Sequence, residues 1–391
     1  MRRISAALVL SATLAFGIGR DVFAAPVPLQ PIDVRRQGES VGIDRQLWGN
    51  PERPGDREAL LRAIDRSLGY LQTPSAARAY RDYPVEGITR DRVWRSLIRF
   101  RQLLLESESP EQLQAAIARE FVLYRSVGKD GEGTVAFTGY FEPTYAASRT
   151  PTEEYRYPLY RLPADFQGWS SPHPTREQLE GTDGRGSDRL RGLELVWLRD
   201  RLEAFLIHVQ GSARLQLRDG TEMTVGYAGK TDRPYSSIGR ALVADGKMTL
   251  EELTLPALMD YFRAHPAELD RYLIRNRSFV FFRETDGAPA TGSLGVPVTA
   301  ERSIATDKSL MPPGALALIQ TDIPQTDAKG ELQPRSVSRY VLDQDTGSAI
   351  RGAGRVDIFM GTGDLAGDRA GVLNATGQLY YLLLRREGGN G

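Results

Sequence analysis

The sequence predicts a mainly β fold with accessory helices. Three observations carry that prediction. From Gly131 to about Arg283, short apolar runs are separated by Gly, Pro, Asp and Asn, the texture of strands joined by turns. Near the C-terminus Val356, Ile358 and Met360 alternate with Asp357, Phe359 and Gly361, the two-residue period of a strand. The long helical stripes gather before Gly131, so the helices accompany the strands and do not form the core alone.

Composition narrows the function. The chain has 391 residues, 41% hydrophobic and 26% charged, an ordinary globular composition long enough for two domains or three. Lys plus Arg and Asp plus Glu balance at 50 each, which leaves no basic footprint for a nucleic-acid partner. Cysteine is absent, which excludes disulfides, thiolate metal sites and a cysteine nucleophile. Three histidines are too few for a His-rich metal centre, so no metal and no cofactor are expected. Residues 1–25 have the form of a secretory signal: Arg2 and Arg3, a short apolar run from Ile4 to Gly19, then Val22-Phe23-Ala24 ahead of cleavage after Ala24 or Ala25. The apolar run is short for a membrane span of about 20 residues. The expectation is an exported protein, periplasmic or cell-wall associated, soluble once the signal is removed.

Taken in order, residues 26–55 form an extended lead-in. Leu60, Leu61, Ile64, Leu68 and Leu71 then mark one helical stripe, and Val93, Trp94, Leu97, Ile98, Leu104 and Leu105 mark a second. Ser109-Pro110-Glu111-Gln112 opens a third helix running to about Tyr124, with Ser as cap and Pro in the first position. Val135 to Pro143 alternates large and small residues as a strand, on which Thr138 and Tyr140 suit a sugar, hydroxyl to its edge and ring to its face. Residues 150–190 are polar and Pro-rich, a long surface loop. Phe205 to Leu215 is expected to be extended, with Gln210 and Ser212 on one face and Gly211 allowing close approach; His208 is expected to be structural. Lys230 and Arg240 are cations suited to carboxylates. Ser237 starts a short helix, Thr249 to Phe262 forms another, and Asn276 to Phe282 is a buried strand. A Gly/Pro-rich hinge, Gly287 to Gly295, marks a boundary, and residues 321–339 form a polar hairpin excursion. A short helix follows at Ala366 to Gly371 and a last strand at Gln378 to Leu384. The domains expected are an N-terminal helical segment, 26–130, a β domain, 131–284, and a C-terminal β region, 285–391.

The chain is organised around Gln344 to Gly363, where Asp345 and Asp357 stand among glycines and short apolar runs. The alternation puts Asp357 on the face opposite Val356 and Ile358, with Phe359 beside it. A carboxylate against apolar surface loses hydration, so its pKa should rise, as a general acid requires.

With Ala305-Thr306-Asp307 upstream, these residues resemble the three-aspartate (3D) domain of the lytic murein transglycosylase A (MltA) family, Asp307, Asp345 and Asp357 being the three aspartates. Phe137-Thr138-Gly139-Tyr140-Phe141, Phe205 to Arg214, Tyr227 to Arg240, Asn276 to Phe282 and Gly295 to Asp307 are similar to further segments of that family, although Asp232 stands where the family commonly has Gly. The resemblance implies a double-psi β-barrel domain with an inserted second β domain and a groove between them. It implies cleavage of peptidoglycan glycan strands at the MurNAc-β-1,4-GlcNAc bond without water, giving 1,6-anhydroMurNAc ends. Asp357 matches the catalytic aspartate, with Asp345 as its neighbour. Asp307 is expected to be structural, fixing a loop by backbone hydrogen bonds. Thr138, Tyr140, Gln210, Gly211, Ser212 and Lys230 are the expected substrate-binding residues. Lipid anchors in the family sit on a cysteine, which this chain lacks. Two other readings stand beside this one: a hydrolase of the same bond with Asp345 as second carboxylate, and a wall-binding module without catalysis.

Overall fold

The computed structural model describes residues 27–32, 42–51 and 53–386; the signal expected over 1–25 lies outside them. Among the described residues there are sixteen strands: β1 (Leu29–Ile32), β2 (Gly49–Asn50), β3 (Arg53–Pro54), β4 (Phe121–Ser126), β5 (Val135–Glu142), β6 (Thr144–Ser148), β7 (Tyr157–Tyr160), β8 (Glu194–Leu198), β9 (Ser212–Leu217), β10 (Glu222–Lys230), β11 (Val280–Glu284), β12 (Ser303–Ala305), β13 (Leu316–Thr326), β14 (Leu332–Asp345), β15 (Arg355–Thr362) and β16 (Asn374–Leu384).

The larger sheet runs β1-β4-β16-β13-β14-β12-β15-β5, and β5 also pairs with β16. That second pairing closes β16, β13, β14, β12, β15 and β5 into a six-stranded barrel, leaving β4 and β1 as an extension outside it. Closure removes the free edges that an open sheet would expose. The pairs β12–β14 and β15–β5 are parallel, and the others around the barrel are antiparallel. The polar excursion is a continuous hairpin, paired from Leu316 with Leu342 out to Thr326 with Leu332. The second sheet runs β11-β10-β9-β6-β8-β7. Only Pro143 separates barrel strand β5 from β6 of the second sheet, and the chain returns from β11 to β12 through residues 285–302.

Helix Arg57–Leu71 buries Leu60, Leu61, Ile64, Leu68 and Leu71 as its stripe requires. Helix Arg90–Glu106 buries Val93, Leu97, Phe100, Leu103 and Leu104, whereas Trp94 and Leu105, expected in its stripe, face outward. Ser109 caps helix Pro110–Glu120 by accepting from Gln112 N at 3.1 Å. That helix stops before Tyr124 because Phe121 already belongs to β4, paired with β16.

The segment Val135–Glu142, expected at the start of the second domain, pairs with barrel strands β15 and β16. Two expectations are corrected. Phe205 to Gln210 is not extended: it lies in helix Arg201–Gln210, capped by Asp200 Oδ1, which accepts from Leu202 N and Glu203 N, and ended by left-handed Gly211 at φ 86°. A short, mostly apolar run such as Phe205 to Val209 fits a buried helix as well as a buried strand, and the caps decide between them. Residues 150–190 are not a bare surface loop. They contain β7 and helix Arg176–Glu180, and Tyr155, Leu159, Tyr160, Trp169, Leu179 and Arg176 are buried. The Arg176 guanidinium lies over the rings of Phe205 and Phe279, at 4.9 and 5.2 Å, and donates to Asn276 O, Ser278 O and Glu180.

The N-terminal segment is tied to the barrel by a buried ionic network. Arg302, fully buried, donates to Asp44, Asp56 and Tyr340 O, while Arg339 approaches Asp44 and Glu301. Arg302→Ala would leave Asp44 buried and short of its main partner. It should lower unfolding free energy by about 3–5 kcal/mol in a chemical denaturation series; a change under about 1 kcal/mol would mean that the network does not hold the segment.

Candidate active site

Strand pairing assembles the site from distant parts of the chain. β15 lies parallel to β5 with Asp357 opposite Thr138 and Phe359 opposite Tyr140. On its other side β15 meets β12, where Ala305 pairs with Asp357, and across β12 the same Ala305 pairs with Asp345 on β14. Val356 and Ile358 are fully buried in the barrel core, so Asp357 projects from the opposite face, as the alternation predicts. Phe359 packs with Tyr140, ring centroids 5.2 Å apart, beside Val298 and Ala290.

The two carboxyl groups differ in their partners. Asp357 Oδ1 accepts from Thr138 Oγ1 at 2.6 Å; among the described residues no donor sits on Oδ2. Burial pushes the Asp357 carboxyl up to about 6; Asp345 adds to the rise, and Thr138 and Arg355 oppose it. Asp345 is held by three donors: Ser293 N and Thr346 N on Oδ1, both at 2.8 Å, and Tyr140 Oη on Oδ2 at 2.9 Å. Burial raises its pKa as well, and those donors favour its ionised form against that rise.

Asp307 has partners of its own and, among the described residues, bonds to neither of this pair. Its Oδ1 accepts from Ser309 N and Oγ, and its Oδ2 from Gly352 N at 2.9 Å. Burial opposes ionisation here, but these donors and Arg351 hold its pKa below the usual value. Those bonds pin the 346–352 loop. Gln210 ends its helix with Oε1 accepting from Phe141 N at 3.0 Å, one residue beyond Tyr140. Gly211 is required by its left-handed conformation and not by close approach, since a Cβ there would meet nothing within 4 Å. Ser212 is buried at the start of β9, opposite Gly226, so Gln210 and Ser212 do not share one strand face. Lys230, half-buried at the end of β10, donates to Thr231 O at 2.9 Å; burial and the nearby Arg351 lower its pKa. The structure thus bonds Thr138 to Asp357 and Tyr140 to Asp345, with Gln210 bonded one residue beyond Tyr140 along β5. His208 is structural: it is buried, its Nδ1 accepts from Val280 N at 3.2 Å, and burial beside Arg176 keeps it neutral.

Sequence reasoning missed Asp343, Lys308, Arg355 and Tyr235. Asp343 is fully buried and accepts from Lys308 Nζ, Thr306 Oγ1 and Tyr381 Oη. The i, i+2 spacing of Asp343 and Asp345 suggests one shared face. The β12–β14 register shifts there, pairing Ile304 with Asp343 and Ala305 with Asp345, and this bulge turns the two carboxylates to different surroundings. Lys308 also donates to Asp345 O, which fixes the backbone below the site. Tyr235, in the segment after β10, is near enough to interact with both Asp357 and Arg355, so the second sheet's side of the molecule reaches Asp357. A cavity of about 630 Å³ lined by Gln320, Asp322, Arg335 and Arg339 contains none of these groups, and the site is identified by its carboxyl chemistry.

Known proteins match this organisation. Residues 136–283 match the MltA specific insert domain, and residues 302–383 match the 3D domain. The chain is 33% identical over 265 residues to membrane-bound lytic murein transglycosylase A of Escherichia coli K12, covering 67% of this chain and 69% of that protein. A crystal structure of the membrane-bound lytic murein transglycosylase from Agrobacterium tumefaciens superposes with a TM-score of 0.69 at 29% identity, over 92% of this chain and 98% of the other. The E. coli MltA structure with bound chitohexaose gives the same TM-score at 27% identity, over 92% and 95% of the two chains. With both family domains matched in order, and the barrel and second sheet that carry them in place, this chain belongs to the membrane-bound lytic murein transglycosylase A family.

Proposed function

We propose that this chain cleaves the MurNAc-β-1,4-GlcNAc bond of peptidoglycan without water, with Asp357 as the single acid and base. The observation that carries the reading is the contrast between its two neighbouring carboxyl groups. One has a pKa pushed to about 6 and, among the described residues, an oxygen without a donor; the other is tied down by three donors.

Protonated Asp357 gives its proton to the glycosidic oxygen as the C1–O bond breaks, and positive charge develops on the muramoyl ring. The resulting carboxylate takes the proton from the C6 hydroxyl of the same sugar, whose oxygen closes on C1. Proton and bond counts balance, and Asp357 returns to its starting state. The attacking hydroxyl is already on the substrate, so proximity replaces the activated water that a hydrolase needs. Asp345, fixed by Tyr140, Ser293 and Thr346, acts as a stationary anion near the developing charge. With both oxygens engaged it is poorly placed to serve as a second base, which favours the lyase over the hydrolase reading. The E. coli MltA structure holds chitohexaose, which supports a sugar ligand for this chain as well; Thr138 and Tyr140, bonded to the two carboxyl groups, with Gln210 beside them and Lys230 at the end of β10, are the residues proposed to meet it. The expected signal over 1–25 would export the protein. The relative is membrane-bound, while this chain has no cysteine for a lipid and, among the described residues, no helix long and apolar enough to cross a membrane.

Digestion of purified peptidoglycan should release muropeptides ending in 1,6-anhydromuramic acid, lighter by one water in mass spectra; fragments carrying that water would make the enzyme a hydrolase. Asp357→Asn should reduce turnover by about 10²–10⁴-fold, and normal turnover by that variant would remove Asp357 from the chemistry. The acid must be protonated to act. With its pKa raised to about 6, turnover should hold at pH 5 and fall as pH rises through about 6, readable from initial rates across a buffer series. Tyr140→Phe removes one of the three donors on Asp345. The Asp345 carboxyl should then titrate at higher pH by carboxyl NMR, and turnover should drop about tenfold.

A further inference from the structure

The Asp357 carboxyl has two oxygens, and catalysis needs the proton on the one that faces substrate. Thr138 contacts Oδ1, but a hydroxyl can donate or accept, so Thr138 alone does not decide which oxygen carries the proton. Arg355 supplies the missing constraint. It opens β15 two residues before Asp357, on the same strand face, and its Nη2 donates to Thr138 Oγ1 at 2.9 Å. A guanidinium has donors only and keeps its charge throughout the accessible pH range. One lone pair of Thr138 is therefore always taken by a cation, which makes the hydroxyl a poorer acceptor and a stronger donor. Its own proton points to Asp357 Oδ1 at 2.6 Å. Among the described residues no carboxylate lies within ion-pair distance of Arg355, so its charge is directed at this hydroxyl and the acid behind it.

We propose that Arg355 is a positioning residue: by holding the Thr138 hydroxyl in its donating sense, it keeps Asp357 Oδ1 an acceptor and fixes the transferable proton on Oδ2. The proposal rests on the reading of Asp357 as the acid. It gives Thr138 a role in addition to sugar contact. It also orders the path, since the same Oδ2 that gives up the proton to the glycosidic oxygen is the oxygen that takes one from the C6 hydroxyl. The groups facing Asp357 are Thr138 and Tyr140 from β5, Asp345 from β14, Tyr235 from the segment after β10, and Arg355 on its own strand. Of these, Arg355 is the cation, and it restrains the rise that burial imposes on the acid.

The test is a double-mutant cycle on the full chain with peptidoglycan as substrate, using Arg355→Met, Arg355→Lys, Thr138→Val and the Arg355→Met/Thr138→Val pair. Arg355→Met should lower kcat by about ten- to a hundredfold with little change in KM, as loss of a charge-assisted hydrogen bond predicts. Its alkaline limb should move to higher pH, because a cation that favours the ionised acid is gone. Arg355→Lys should recover part of kcat and return the limb toward the wild-type position. In the pair, kcat should be no lower than in Thr138→Val alone, since Arg355 acts through that hydroxyl. Multiplicative losses in the pair, or an effect of Arg355→Met confined to KM, would overturn the proposal. Should Arg355→Met fail to fold, Arg355→Lys with wild-type thermal stability but kcat as low as in Thr138→Val would overturn it too. Asp357→Asn run alongside separates the two levels: full turnover there defeats the acid assignment itself, whereas its loss together with multiplicative Arg355 effects defeats only the positioning role.

Discussion

The site depends on a strand of three residues. β12, Ser303–Ala305, lies between β14 and β15, and Ala305 is paired with Asp345 on one side and Asp357 on the other. Neighbouring strands lie about 4.8 Å apart, so a single intervening strand sets the two aspartate backbones about 10 Å apart and lets their side chains converge. Adjacent strands would press the carboxylates together, and two intervening strands would separate them. The surroundings hold this short strand in place. Arg302, just before it, is anchored to Asp44 and Asp56, and Ser303 Oγ donates to Gln344, which in turn donates to Ala63 O and Ser67 of the helix at 57–71. The N-terminal helices thus act on the site indirectly, by fixing the register of the strand between the two aspartates.

Around that strand four carboxyl groups of one residue type are given four environments. Asp357 has a single hydroxyl donor, and burial dominates its titration. Asp345 has a phenol and two backbone amides. Asp343 is buried with a lysine, a phenol and a threonine hydroxyl. Asp307 is paired with the backbone of the loop it ties down. Proton chemistry near neutral pH calls for the first environment; at Asp343 and Asp345 burial also raises the pKa but several donors act against the rise, and at Asp307 the donors win and lower it. The division follows from hydrogen-bond supply, and the differences lie in contacts a few ångströms away.

The second sheet reaches the barrel by equally specific contacts. Glu142, at the end of β5, is buried and accepts from Arg214 of β9 and from Thr362 at the end of β15. Gln210 holds Phe141 N from the end of its helix. Both contacts fall within two residues of Tyr140. The path from barrel to second sheet, the aromatic beside Asp345 and the end of β15 are therefore braced as one unit.

The sequence by itself determined what local period and composition control. Alternation around Asp357 placed Val356 and Ile358 inward and the carboxylate outward, and the raised pKa followed from its apolar neighbours. The helical stripes and the Ser109 and Ser237 caps were legible for the same reason, because their partners lie within a turn or two. Tertiary structure decided everything that joins distant segments. Thr138 and Asp357 are 219 positions apart, and nothing local in either segment specifies their pairing or the closure of the barrel through β5 and β16. The apolar run at 205–209 suits helix and buried strand alike, and Asp200 and Gly211 settle it. Asp343 and Asp345 carry the spacing of a shared face, and a bulge separates them. Arg355 has the form of a solvated charge on a strand until folding sets Thr138 against it. Periodicity reports which way a side chain points; what it meets there is fixed only when the strands are ordered around the barrel.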